Sequence, residues 1–172
     1  MRLCFDMDGV LTEGKYTPKN SAPIEFLSLT PYDRDTVSTW NQLCTEHTTI
    51  VITGRALPNA DMHCKDWFEA RGMMQPDILI TNPVADRPAT ELAKWKFDLA
   101  NLLACDLIFE DNPRVSEHWR MECWNAETLV RPQVYLVDNP EWPLNQDSSE
   151  DRIRSWKEIY ETVEYHAMHR TR

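Results

Sequence analysis

Phe5-Asp6-Met7-Asp8-Gly9-Val10-Leu11-Thr12 overlaps the end of the first apolar run of the chain, Leu3-Cys4-Phe5. Side chains alternate along a strand, so Asp6 and Asp8 point the same way at the end of the strand that this run predicts. Two carboxylates held so close repel each other and shift each other's pKa unless a cation lies between them. A hard divalent ion with oxygen ligands, Mg2+ in the first instance, is the simplest such cation and suits phosphate chemistry. An isolated Asp-x-Asp-Gly is more often a solvated turn, but two later runs close on motifs of a related kind.

The first of these is Thr49-Ile50-Val51-Ile52-Thr53-Gly54-Arg55, a β-branched run that reads as a buried parallel strand. Thr53 at its carboxyl end is placed to donate to a phosphoryl oxygen. Gly54 would let backbone N–H groups approach that oxygen, and Arg55 is suited to a bidentate phosphate contact. A plain strand-ending turn is the alternative. The second run, Asp106-Leu107-Ile108-Phe109, closes on Glu110-Asp111-Asn112-Pro113. Asp111 would complete an oxygen set with Asp6 and the backbone carbonyl of Asp8, leaving waters and a substrate oxygen for the other octahedral positions of Mg2+. Glu110 is expected beside that set, holding a water or a lysine.

A phosphoryl group beside a carboxylate needs a fixed positive charge. Lys94 and Lys96 are the candidates. With Leu92, Trp95, Leu99, Leu102 and Leu103 taken as the helical pattern, position 96 falls near the apolar face and position 94 opposite it. That phase favours Lys96 and leaves Lys94 as the alternative.

In this order along the chain, FDMDGVLT, IVITGR, the lysine of AKWK and IFEDN resemble the four motifs of the haloacid dehalogenase superfamily of phosphohydrolases. The resemblance covers roughly residues 1–126 and implies Asp6 as nucleophile and Asp8 as general acid and base. It further implies Thr53 and Lys96 as phosphate binders and Asp6, Asp8 and Asp111 around Mg2+. The family usually has Asp-Asp or Gly-Asp at the fourth motif, so Glu110 is a departure. The implied chemistry is in-line attack of Asp6 on phosphorus, an aspartyl-phosphate, and its hydrolysis by water, with Asp8 moving the protons. Within the superfamily the chain is most similar to the phosphatase domain of polynucleotide kinase, through ITGR and EDNPRVSEHWRMECWNA. That likeness implies removal of a 3'-phosphate from a nucleotide or a nucleic-acid end. No GxxxxGK[ST] occurs, so no kinase half is expected.

Short apolar runs near 2–6, 48–53, 77–81, 106–110 and 122–126 alternate with helical patterns, which predicts an α/β chain. The expected fold is a Rossmann-like, doubly wound parallel sheet with the site at the carboxyl ends of its strands. Only residues 13–47 separate the first two motifs, part of them a helix over Asp33–His47, so a minimal cap or none, and an open site, are expected. Residues 1–140 are read as the phosphatase domain. Residues 141–172 are read as a linker and a C-terminal amphipathic helix, within a Pro- and Ser-rich stretch at 139–149 and a helical pattern of Ile153, Trp156, Ile159, Tyr160 and Val163 over 149–166. That helix packs on its own sheet or forms a homodimer.

Cys4, Cys44, Cys64, Cys105 and Cys123 have no CxxC spacing and read as buried reduced thiols. His63, His118, His166 and His169 lack metal-ligand spacing, so zinc is not expected. No run is long enough for a membrane span and no leader pattern precedes the first strand, which predicts a cytoplasmic protein without membrane partners. A net charge of −10 disfavours a broad phosphate-backbone surface. Local charge from Arg55, Lys96, Lys15, Arg34 or Arg87 suffices for a nucleotide or another small phosphomonoester, which ranks level with a nucleic-acid end. An unrelated small metabolite is the alternative substrate. A non-catalytic binding module would be expected to have lost one of the two aspartates, and both are present.

Overall fold

Phe5 lies between Val51 and Phe109 on the neighbouring strands, and this three-strand centre fixes the register of a fully parallel sheet. The computed structural model describes residues 1–14, 22–56, 58–125, 132–139 and 152–169, the side chains of 122–125 excepted. Its strands are β1 (Arg2–Phe5), β2 (Thr48–Thr53), β3 (Ile78–Thr81), β4 (Leu107–Glu110), β5 (Gln133–Val137) and β6 (Arg152–Ile153). Its helices are α1 (Pro23–Ser28), α2 (Thr36–Glu46), α3 (Ala60–Ala70), α4 (Ala89–Leu102), α5 (Pro113–Asn125) and α6 (Trp156–His169). The strands stand in the order β3-β2-β1-β4-β5-β6. The winding therefore reverses between β1 and β4, where a doubly wound sheet leaves a crevice at its carboxyl edge.

Alternation along each strand sends successive side chains to two separate cores. Leu3, Phe5, Val51 and Phe109 meet Trp40 of α2, Trp67 and Phe68 of α3 and Trp156 of α6. Cys4, Ile50, Ile52 and Ile108 meet Ala93 and Phe97 of α4 and Val115 and Trp119 of α5. The predicted doubly wound α/β fold is thus present. Four of the five predicted strands coincide with β1 to β4 within a residue or so.

The fifth does not. The apolar residues near 122–126 belong to the end of α5, whose Val115 and Trp119 bury at helical spacing, and residue 126 lies outside the described residues. The next strand is instead β5, beside β4, and the two-residue β6 follows it. In α4 the buried positions are Ala93, Lys96, Phe97 and Ala100, whereas Leu102 is exposed. The small alanines let the helix lie close to the sheet and to Trp119, whose Nε1 donates to the Ala93 carbonyl at 2.8 Å. The leucines flank that ridge rather than form it.

The helix expected over 149–166 begins at Trp156, with Ile153 in β6; residues 140–151, most of the proposed linker, lie outside the described residues. Trp156, Ile159 and Val163 are buried in the chain's own core. At roughly 2 kcal/mol per fully buried side chain, that packing is enough to hold α6 in place. A homodimer through this helix would have to form without that stripe. Cys4, Cys64 and Cys105 are buried free thiols, as expected; Cys44 is free but only half-buried, and the side chain of Cys123 is not among those described. No described helix is long and apolar enough to cross a membrane.

Candidate active site

β1 ends at Phe5, so Asp6 and Asp8 leave the sheet at the switch point. The Asp6 N–H donates to the Phe109 carbonyl of β4 at 3.0 Å. The Asp6 carboxylate is fixed at both oxygens: Oδ1 accepts from the Met7 N–H at 2.7 Å, and Oδ2 lies 2.8 Å from Lys96 Nζ. Lys96 reaches in from α4 and also meets Glu110 Oε2 at 2.9 Å. It is 2 % exposed, while Lys94 points outward to pair with Asp98. Lys96 thus faces inward and Lys94 outward, the placement that the helical phase predicts.

Burial acts to lower the Lys96 pKa, but the Asp6 and Glu110 carboxylates outweigh it and hold the ammonium well above its ordinary value. Glu110 is pushed up by burial and by the nearby Asp6 charge, against the pull of Lys96. Carboxylate oxygens of Asp6, Glu110 and Asp111 all lie within 4.8 Å of one another. This all-oxygen set suits Mg2+. Glu110 holds the lysine, as predicted for it, and its carboxylate also stands within reach of the Asp6 and Asp111 oxygens.

Space around Asp111 is reserved by Gly9. Its φ is +76°, and a Cβ there would stand 2.1 Å from Asp111 Oδ2. The same oxygen accepts from Asn139 Nδ2 at 2.7 Å. Asn139 was missed in the sequence. Its signal was the polar pair Asp138-Asn139 closing the apolar run Val134 to Val137, as the other site residues close theirs.

The side chain of Asp8 turns away from this cluster. Its Oδ2 accepts from Arg55 Nε at 2.9 Å and its Oδ1 from Arg55 Nη2 at 2.5 Å. Arg55 is buried and lies over the Phe26 ring of α1, 3.9 Å from its centroid. The bidentate fork predicted for a phosphate is therefore engaged with a carboxylate, the guanidinium being held between Asp8 and the Phe26 ring. Burial raises the Asp8 pKa above its ordinary value, and Arg55 opposes that rise. Thr53 is also buried, its hydroxyl oxygen accepting from the Arg55 N–H at 3.3 Å. Gly54 lines the cleft, with the Leu92 side chain 3.1 Å from where a Cβ would sit.

The cleft has a volume of about 390 Å3, and Asp6, Asp8, Lys96, Glu110 and Asp111 line it together with Arg87. All three strand-end motifs and the lysine thus converge, while Thr53 and Arg55 stand behind the wall. Of the other basic residues considered, Arg34 pairs with Asp35 on the surface, and Lys15 lies outside the described residues. A separate group, Glu46, His47 and Glu164, forms where α2 meets α6; Glu164 is too far from the other two in sequence for spacing to reveal it.

No family model matches this chain, and no curated protein does. Solved structures do. Two are chains of a Pnkp1/Rnl/Hen1 RNA repair complex and of a Pnkp1/Rnl/Hen1 complex, each with a TM-score of 0.59. They are 16 % and 17 % identical over 82 % of this chain. The chain spans 43 % and 47 % of their lengths, less than half. At that identity the likeness is one of fold.

Proposed function

We propose that this chain is a Mg2+-dependent phosphomonoesterase that works through an aspartyl-phosphate on Asp6, with a nucleotide or a nucleic-acid 3'-phosphate end as substrate. The observation that carries the reading is Lys96, a buried ammonium bridging Asp6 and Glu110 beside Asp111 in the cleft at the switch point. A structural ion pair alone needs one carboxylate. Here one lysine bridges two of three carboxylates whose oxygens lie within 4.8 Å of one another, an arrangement suited to a divalent ion and a phosphoryl group bound together.

Asp6, Glu110 and Asp111 would hold the ion, which supplies charge neutralisation at the phosphoryl oxygens. The chain's own residues do the rest. Asp6 presents a carboxylate oriented by the Met7 N–H and Lys96 for attack on phosphorus. Lys96 is kept charged and stabilises the anionic oxygens that develop there. Asp8, its pKa raised by burial, is suited to give a proton to the leaving oxygen and later to take one from water. Arg55 holds Asp8 in place until then. The fold likeness to chains of a complex named for RNA repair supports a nucleic-acid end over an unrelated small metabolite.

The test is phosphate release from 3'- and 5'-phosphorylated oligonucleotides, mononucleotides and sugar phosphates, with Mg2+ and with EDTA. Mg2+-dependent release, greatest from 3'-phosphates, is expected. Equal release in metal-free buffer would contradict the metal assignment, and a preference for sugar phosphates would contradict the substrate.

A further inference from the structure

Arg87 is left over by the mechanism above, yet several features of the chain aim it at the cleft. The loop after β3 opens with Asn82, which is 6 % exposed and anchored by its N–H to the Arg55 carbonyl at 3.0 Å. Asn82 Oδ1 accepts from the Val84 N–H and from Arg87 Nε, both at 3.1 Å. Asp86 before it sits at φ 55°, a region that aspartate tolerates better than most residues, and Pro88 after it restricts the backbone again. The Arg87 guanidinium lies over the Trp95 ring of α4, 5.2 Å from its centroid. Cation and ring attract, which steadies a long side chain that would otherwise sample many rotamers.

Charge in the cleft is uneven. Lys96 is engaged with Asp6 and Glu110, and Arg55 with Asp8 behind the wall. Among the described residues no carboxylate pairs with Arg87, and its Nη groups, the two best suited to grip an anion, have no acceptor there. The loop that carries it leaves the sheet from β3, two strands from the Asp6 strand. Lys96 already stands beside Asp6 for the reacting phosphoryl group, which leaves Arg87 to meet another part of the substrate in the same cleft. Leu92 and Val115 line the same cleft and offer apolar surface to a sugar or base.

We infer that Arg87 is a specificity-determining residue that grips a second anionic group, the phosphodiester adjoining the terminal 3'-phosphate. The substrate class is then a 3'-phosphorylated chain of two or more nucleotides rather than a lone mononucleotide. This rests on the phosphatase reading and sharpens it. It also reconciles a net charge of −10 with a nucleic-acid substrate, because one fixed arginine reads one phosphate without any basic face.

The experiment compares the full chain with Arg87→Ala and Arg87→Lys on p-nitrophenyl phosphate, a 3'-mononucleotide and a 3'-phosphorylated dinucleotide. Arg87→Ala is expected to raise the dinucleotide KM about tenfold, the loss of one charge-assisted contact, with kcat within about twofold. KM for the other two substrates should stay within about twofold, and Arg87→Lys should fall between. Binding of the dinucleotide to Asp6→Asn, with and without Arg87→Ala, should show the same tenfold difference without turnover. An unchanged dinucleotide KM, or an equal loss on all three substrates, would overturn the role of Arg87 while leaving the phosphatase standing. No phosphate release from any substrate, together with no dinucleotide binding, would overturn both.

Discussion

Lys96 shows at the scale of one residue how structure and chemistry share the same contacts. Removing it leaves Asp6 and Glu110, 10 % and 1 % exposed at their side chains, facing each other without their cation. Stranding buried charge in this way costs about 3–5 kcal/mol. Lys96→Ala should therefore lower the urea midpoint sharply, whereas Lys94→Ala, removing an exposed pair, should change stability by less than about 0.5 kcal/mol. Equal effects would mean that the buried bridge is not formed. Asn139 makes a different kind of contribution, orienting Asp111, one of the proposed Mg2+ ligands. Loss of such a partner typically weakens metal binding about 10–100-fold. Asn139→Ala should shift the Mg2+ concentration for half-maximal phosphate release upward by that factor, and an unmoved curve would exclude the role. Asp6, Asp8 and Asp111 were legible in the sequence because each follows or ends an apolar run. Arg55 was legible as important but not in its partner, since spacing cannot tell a phosphate from a carboxylate 47 positions earlier.

Elements that carry the site are held by helices remote from it in sequence. Trp156, the first residue of α6, is fully buried, stacks on Phe5 at 5.6 Å and donates its Nε1–H to the Val10 carbonyl at 2.8 Å. The C-terminal helix thus braces the loop that follows Asp8 and Gly9. Trp156→Phe keeps most of the apolar surface and strands the carbonyl, so it should cost about 1–3 kcal/mol in denaturant unfolding. No loss of stability would show that the carbonyl finds water instead. This bracing was invisible in the sequence, where the periodicity of Trp156, Ile159 and Val163 announced a buried face but not what it covers. The misplacement of a strand at 122–126 has a similar cause. A short apolar stretch around Cys123 and Trp124 fits either period, and only the burial of Val115 and Trp119 decides for the helix.

For the molecule as a whole, the parallel sheet followed from β-branched and apolar runs separated by helix-length segments, and its switch point followed from where the acidic motifs fell. The order of β5 and β6 did not, because a two-residue strand carries almost no pattern. The fold brings Asp6, Lys96, Glu110 and Asp111 to one cleft, and the proposed function requires that this assembly turn over a phosphomonoester by covalent catalysis at Asp6. The most direct measurement is Mg2+-dependent phosphate release from a 3'-phosphorylated dinucleotide by the native chain and by Asp6→Asn, which keeps the shape but removes the attacking oxygen. Steady turnover by the native chain is predicted, with the variant at least about a thousandfold slower and equally folded. Comparable rates from the two proteins, or none from the native chain, would contradict it.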